Sequence, residues 1–529
     1  MAAKLVGLLK SPFRRSQQSI ALTAASAVVC LAVLVPFACL LAETWDAGGA
    51  AARVLVSAAP WRLLLRSVVF SVAVTSLALV IGVPLGVLLA RTDVPARRLA
   101  WVIHSFPLFL PPFLPALGWF YLFGTNGFLG TAASSRLLFS ECGLIAVLGL
   151  AFSPVVTSLV GLGVLGVDAS LEDAARCVAG PGRVAARILL PAAAPAVAMA
   201  GIVVFAMTVS ELAVPSFLRV EVFPAAVFAR LGGLDYAPGE AFALALPLLP
   251  VALALLWLEQ RFVGRRSFAV LGLRSLSRSP MLLGRRWRRP AIILCWLVAL
   301  VSAAPVAALA VRAGTGGLAS LPAWIGGAPW NSLRAGIAAA TLITGLGLVL
   351  GHALARRLPG SGPLDTVVVL GFVAPAPVIG VGLVAAWNRP ATQLLYGSAG
   401  ILVLGLLARY AVIGLRTVAA SVAQASPSFE EAAAVGGAGY WRRLTGIVLP
   451  LHARGVGLAW LLALVFCLRD LETSILFYPP GGEPLPVRIF TLEANGPEPV
   501  VAALAVVQAG LVAAVFALGS VLIFRQRTT

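Results

Sequence analysis

The chain has 529 residues, 60% hydrophobic and only 11% charged, with a mean hydropathy of +0.99. Soluble domains carry about 25% charged residues, so this composition excludes a water-soluble fold and makes lipid the solvent. The net charge of +19 does not mark a nucleic-acid binder: of 39 basic residues only Lys4 and Lys10 are lysines, and the arginines sit beside apolar runs.

A bilayer is crossed by roughly 20 apolar residues, and such runs predict twelve spans. Six lie near 20–42, 67–90, 100–124, 142–166, 192–214 and 240–261, and six near 291–313, 332–355, 366–387, 398–420, 452–476 and 500–524. The first follows a basic tail but has no clear cleavage site, so it is read as a retained span. The prediction is an all-α, polytopic membrane protein. A stretch from Val263 to Pro290, with eight arginines and no acid, divides it into a first unit (1–262), a basic linker (263–290) and a second unit (291–529). The bias of arginine toward the cytoplasm places the N-terminal tail (Lys4, Lys10, Arg14, Arg15), residues 91–98, both polar loops described below, the linker, Arg356–Arg357 and the Arg525–Arg527 tail on that side. Both termini are then cytoplasmic.

The two units read as repeats. Residues 76–91 lie over 341–356 at an offset of 265, with Arg91 on Arg356. Pro111 matches Pro375 and Gly118 matches Gly382 at 264, and Glu211 matches Glu472 at 261. An even number of spans per unit makes the repeat parallel.

One polar loop occurs in each unit. The second runs FEEAAAVGGAGYWRRLTGIVLP, Phe429 to Pro450. Ser428 and Glu431 have the spacing of a capping box, Glu430 and Glu431 suit the positive end of a helix, and Gly436, Gly437 and Gly439 break it. A second amphipathic segment is expected to bury Tyr440, Leu444 and Ile447, turn Arg442 and Arg443 outward, and end on Pro450 in the first turn of the next span. The first loop, Leu171 to Pro191, has the same parts: Ser170 as cap, Glu172 and Asp173, then Ala174, Ala175 and a break at Gly180.

The second loop resembles the EAA signature of ABC importer permeases. Glu431, Ala432 and Ala433 are followed at the family's spacing by Gly437, Ile447, Leu449 and Pro450. The first loop departs from it, with Asp173 for the glutamate, Ala179 for the glycine and one residue fewer before Pro191. The resemblance implies two tandem six-helix, MetI-like units of the type I importer fold, set in the bacterial inner membrane. It also implies two copies of a cytosolic ATPase gripping the two loops, and a periplasmic substrate-binding protein. Residues 469–490 resemble the iron(III) transport permeases, while thiamine and other small-solute permeases share the general plan. The chain has no GxxxxGK[ST], so ATP and magnesium are expected on the partner ATPase, with no cofactor, catalytic residue or metal on this chain.

The proline-rich third spans of the two units, carrying Pro111, Pro112 and Pro115, and Pro375 and Pro377, are candidate pore-lining breaks. Glu211 and Glu472 are ionisable groups in spans. Counted from Pro191 and Pro450 at about 1.5 Å per residue, they are expected near the periplasmic edge, with Arg469, Asp470 and Glu472 pairing among themselves or meeting water. A secondary transporter with six-plus-six repeats is the alternative from another class. A membrane enzyme finds no support, because the six cysteines and His104, His352 and His452 are scattered.

Overall fold

A computed structural model describes residues 12–46, 48–232, 238–262 and 280–524. Its long helices are α1 (Pro12–Asp46), α2 (Ala58–Arg91), α3 (Arg97–Ser105), α4 (Phe113–Phe123), α5 (Glu141–Leu165), α6 (Ala169–Val178), α7 (Ala194–Ser210), α8 (Phe223–Gly232) and α9 (Leu248–Phe262). They continue as α10 (Arg285–Gly314), α11 (Ala328–Ala355), α12 (Ser361–Val373), α13 (Ala376–Trp387), α14 (Ala399–Val422), α15 (Ser428–Val435), α16 (Ala453–Leu468), α17 (Leu485–Glu493) and α18 (Glu498–Phe524). Among the described residues there is no β-sheet, only an isolated bridge between Thr92 and Met281.

Eight helices are long and apolar enough to cross a membrane unbroken, and four more spans, for a total of twelve, arise if bent pairs count as one each. The bends are 106° between Phe109 and Phe113, 67° at Ala193, 107° between Val373 and Ala376, and 83° at His452. Apolar side chains such as Val69, Val80, Leu253, Leu297 and Val521 are exposed, as surfaces solvated by lipid are. Most of the predicted linker (263–279) lies outside the described residues. Its last six residues, Arg285 to Pro290, are helical and open α10, with Pro290 inside the helix.

The repeat is visible in the packing. α2 runs along α5 as α11 runs along α14. Gly82 and Gly86 on α2, and Gly347 and Gly351 on α11, allow the backbones to touch: a Cβ on Gly86 would stand 2.8 Å from the Thr157 carbonyl oxygen, and one on Gly351 2.6 Å from that of Leu415. Without a hydrophobic force between helices in lipid, such small-residue seams are what hold them. The first helix of each predicted unit packs on the other one: α1 lies against α12 and α13, and α10 against α3 and α4.

A second duplicated contact joins these elements. The Phe223 N–H donates to Ser67 Oγ (2.8 Å) and the Leu485 N–H to Ser332 Oγ (2.7 Å), all four residues being buried. Ser67 and Ser332 occupy matching places on α2 and α11, and each satisfies an orphan donor at the start of α8 or α17.

Candidate functional site: two polar loops and a charged cavity

The second loop does not form the expected capping box. Pro427, at φ −65°, already starts the helix, so Ser428 is its first residue and makes no side-chain cap, while the Glu431 N–H bonds to the Pro427 carbonyl (3.0 Å). The buried acid is Glu430. Its Oε1 accepts from Arg356 Nε (2.9 Å) and Nη2 (2.7 Å), and its Oε2 meets His352 Nε2 (2.7 Å), both partners lying in the last turn of α11 or just past it. Burial raises the carboxyl pKa, but the hydrogen bonds and charges of His352 and Arg356 outweigh it and hold the group at about 2. Glu431 and Ala432 are exposed and Ala433 half-buried.

The signature glycine has a local reason. Gly437 is in the left-handed region (φ 97°), its N–H bonds to the Ala434 carbonyl (3.2 Å), and the Ala438 N–H reaches back to Ala433 (2.9 Å). This is a Schellman end, which a residue with a Cβ adopts only under strain.

The first loop reaches the same result differently. Helix α6 starts at Ala169, which puts Ser170 in its first turn. Glu172 is fully buried, paired with Arg91 at the end of α2 and with Arg176 Nη2 (2.5 Å). Asp173 and Ala174 are exposed, and Ala175 is buried. With Ala179 in place of glycine there is no left-handed turn; the chain leaves through Gly180 in an extended conformation (φ −71°, ψ 163°), which uses one residue fewer.

Beyond each break comes a π turn, Ala185–Leu189 and Leu444–Val448. Pro191 and Pro450 cause it: each ring clashes with the carbonyl four residues back, and the widened turn relieves the clash. The Leu190 and Leu449 N–H groups accordingly bond five residues back, to Ala185 and Leu444. Pro450 therefore ends the loop segment, and the span begins only after the bend, at Ala453. Tyr440, Leu444 and Val448 form the buried face, with Ile447 and Leu449 half-buried and Arg442 exposed.

The other ends of α7 and α16 meet in a cavity. Its walls include Pro112, Phe152, Glu211, Arg409, Arg469 and Glu472. Phe152 and Arg409 stand near the middle of α5 and α14, about 15–20 Å from either end of those helices. Glu211 and Glu472 are therefore level with the middle of the long helices, not at the periplasmic edge. The expectation failed because the bends at Ala193 and His452 turn the residues before them away from the span direction.

Nor do the three charges after α16 pair among themselves. Arg469 Nη1 donates to the Leu108 carbonyl, whose intrahelical donor Pro112 lacks. Asp470 accepts from Tyr410 Oη (2.7 Å) and from the Thr473 and Ser474 N–H groups (2.9 and 3.1 Å). Glu472 lines the cavity beside Glu211, which accepts from the Val214 N–H (3.3 Å). Of the candidate prolines, Pro112 lines this cavity, and Pro377 lines a second one that shares Glu472. Pro111, Pro115 and Pro375 line neither, although Pro111 and Pro375 lie in the bends. The bend at Pro375 is held by Ser210 Oγ, which accepts from the Ala376 N–H (3.3 Å).

Spacing marks Glu430 as a helix-end acid of the loop, but it does not point to Arg409, Tyr410, Ser67 or Ser332. The coincidence of Arg91 with Arg356 in the repeat was the one signal that pointed to the loop anchors. Among the described residues, no cluster of three or more His, Cys, Asp or Glu could hold a metal ion.

No family model matches the chain. It is 25% identical over 432 residues to a putative ferric transport system permease protein of Haemophilus influenzae, covering 75% of this chain and 67% of that protein. It is 31% identical over 178 residues to a putative 2-aminoethylphosphonate transport system permease protein of Salmonella typhimurium, covering 32% of this chain and 66% of that one. A molybdenum transport system permease protein of Escherichia coli is 28% identical over 206 residues, 36% of this chain and 89% of that protein. The ferric and phosphonate relatives are thus matched over about two thirds of their own length.

Proposed function

The chain is a membrane-spanning permease of the ATP-binding-cassette importers, and from that premise we propose that it forms the import path for iron(III) and takes its power stroke through the two polar loops. The observation that carries this reading is that α7 and α16 each join a loop segment at one end to an acid of the central cavity at the other. A push on either loop is delivered through a rigid helix to the place where the path is closed.

Each loop is fastened by its buried acid, Glu172 to Arg91 and Glu430 to Arg356, so that it moves with α2 or α11. Its outer side is left for a partner: Leu171, Asp173 and Val178 on α6, and Phe429, Glu431 and Val435 on α15, are all exposed. An apolar pair beside an acid on a short helix suits a groove with basic groups. Two loops call for two ATPase copies, which carry ATP and magnesium, with a periplasmic binding protein delivering solute to the opposite face. The permease then sits in the bacterial inner membrane as two tandem six-helix units (1–262 and 291–529), termini inward.

Iron(III) is favoured because the ferric relative aligns over most of the chain. Phosphonate, molybdate or thiamine import is the runner-up. A proton-driven transporter would make use of the Glu211–Glu472 pair, and the energy source separates it. Reconstituted with its ATPase and binding protein, the complex is expected to hydrolyse ATP faster when iron(III)-loaded binding protein is added. Stimulation by another loaded binding protein instead moves the assignment to the runner-up, and uptake on a proton gradient without ATP removes the importer reading.

A further inference from the structure

The cavity is not symmetric between the repeats. Glu211 and Glu472 match, but counted from the capping serines Ser140 and Ser398, Ala151 stands on α5 where α14 carries Arg409. Its acids are engaged: Asp470 takes bonds from Tyr410, Thr473 and Ser474, and Glu211 takes one from the Val214 N–H. Its donors are not. Arg409 lies 3.8 Å from Asp470 and 3.9 Å from Glu472, beyond hydrogen-bond reach, and its buried Nη1 has no partner. A buried guanidinium with unused N–H groups is costly unless something supplies acceptors, and its planar fork matches a two-oxygen anionic group.

We infer that Arg409 is the solute-contacting residue of the path and that the passing solute presents it with an oxyanion group, a phosphate, phosphonate or carboxylate, either free or as a ligand on the iron. This rests on the cavity being the import path. The unpartnered guanidinium N–H is the group left to select, and it calls for an acceptor on the solute.

The test uses the full chain. In detergent, inorganic phosphate at matched ionic strength is expected to raise the thermal midpoint of the wild type above that in chloride, and not that of Arg409→Gln. Arg409→Lys, which keeps the charge and loses the fork, should retain part of the effect. In proteoliposomes with ATPase and binding protein, Arg409→Gln should lower uptake about tenfold or more while loaded binding protein still stimulates ATP hydrolysis. Comparing iron(III) supplied with citrate, with phosphate and as the aquo ion tells whether the oxyanion travels on the metal. Equal phosphate stabilisation of wild type and Arg409→Gln, or equal uptake, overturns the inference. If Arg409→Gln does not fold, Arg409→Lys behaving as wild type in both assays overturns it. Absence of ATP-driven uptake by the wild type would instead sink the importer reading.

Discussion

Gly118 lies against Pro305 so closely that a Cβ on the glycine would stand 2.2 Å from the proline carbonyl oxygen. The contact is duplicated by Gly382 and Pro36, at 2.6 Å. Pro36 and Pro305 sit inside α1 and α10, the helices that cross to the opposite half, so these contacts lock each first helix across the molecule. Backbone on both sides leaves nothing flexible to yield. Gly118→Ala and Gly382→Ala should each cost about 1–3 kcal/mol by overpacking. Gly345→Ala on α11, where a Cβ meets nothing within 4 Å, should be neutral or stabilising by about 0.5–1 kcal/mol. Thermal unfolding in detergent checks all three.

Ser67→Ala and Ser332→Ala should each lose about 0.5–2 kcal/mol, because each strands a backbone N–H at a helix start. The losses should be similar in the two halves, since the bonds differ by only 0.1 Å (2.8 and 2.7 Å). A large loss for one serine and none for the other would contradict the equivalence of the two contacts.

Glu430→Gln and Glu431→Arg separate fastening from docking. Glu430→Gln leaves Arg356 without its charged partner and should lower the permease's own stability by about 1.5–3 kcal/mol. Glu431→Arg alters an exposed group, so the isolated permease should change by no more than about 0.3–1 kcal/mol, the helix-dipole effect. Co-purification with the ATPase should nevertheless fall. Asp173→Arg should act in the same direction but more weakly, because the first loop lacks the glycine turn. Normal assembly and transport by Glu431→Arg would refute the docking role.

The depressed pKa of Glu430 gives a pH signature. A carboxyl held at about 2 when folded, against an ordinary 4.5, stabilises the fold fully above the ordinary value and loses that contribution as pH falls from 4.5 toward 2. The stability gap between wild type and Glu430→Gln should therefore close across that window. A gap that stayed constant with acidification would mean that ionised Glu430 contributes nothing.

Topology is tested from outside intact cells. A membrane-impermeant thiol reagent should not reach Ser275→Cys, in the linker beyond the described residues, until the cells are permeabilised. Labelling without permeabilisation would defeat the arrangement with both termini inward.

What the residue string determined by itself is whatever depends on local composition or on repetition. Lipid as solvent, twelve apolar runs, the duplication and the two loop motifs all follow from spacing, because span length and helix breaking are local. Proline's missing N–H likewise marked two of the four bends, those at Pro111 and Pro375, in advance. The tertiary structure decided which of two adjacent acids is buried: Glu430 and Glu431 are equivalent by composition, and only the approach of α11 brings Arg356 to one of them. It also placed Glu211 and Glu472 at mid-depth, since a residue count along the chain cannot register an 83° bend. Arg469 and Leu108 are 361 residues apart in sequence. No local pattern announces that the carbonyl freed by one proline will be met by an arginine from the other half, because that pairing exists only once both halves have packed.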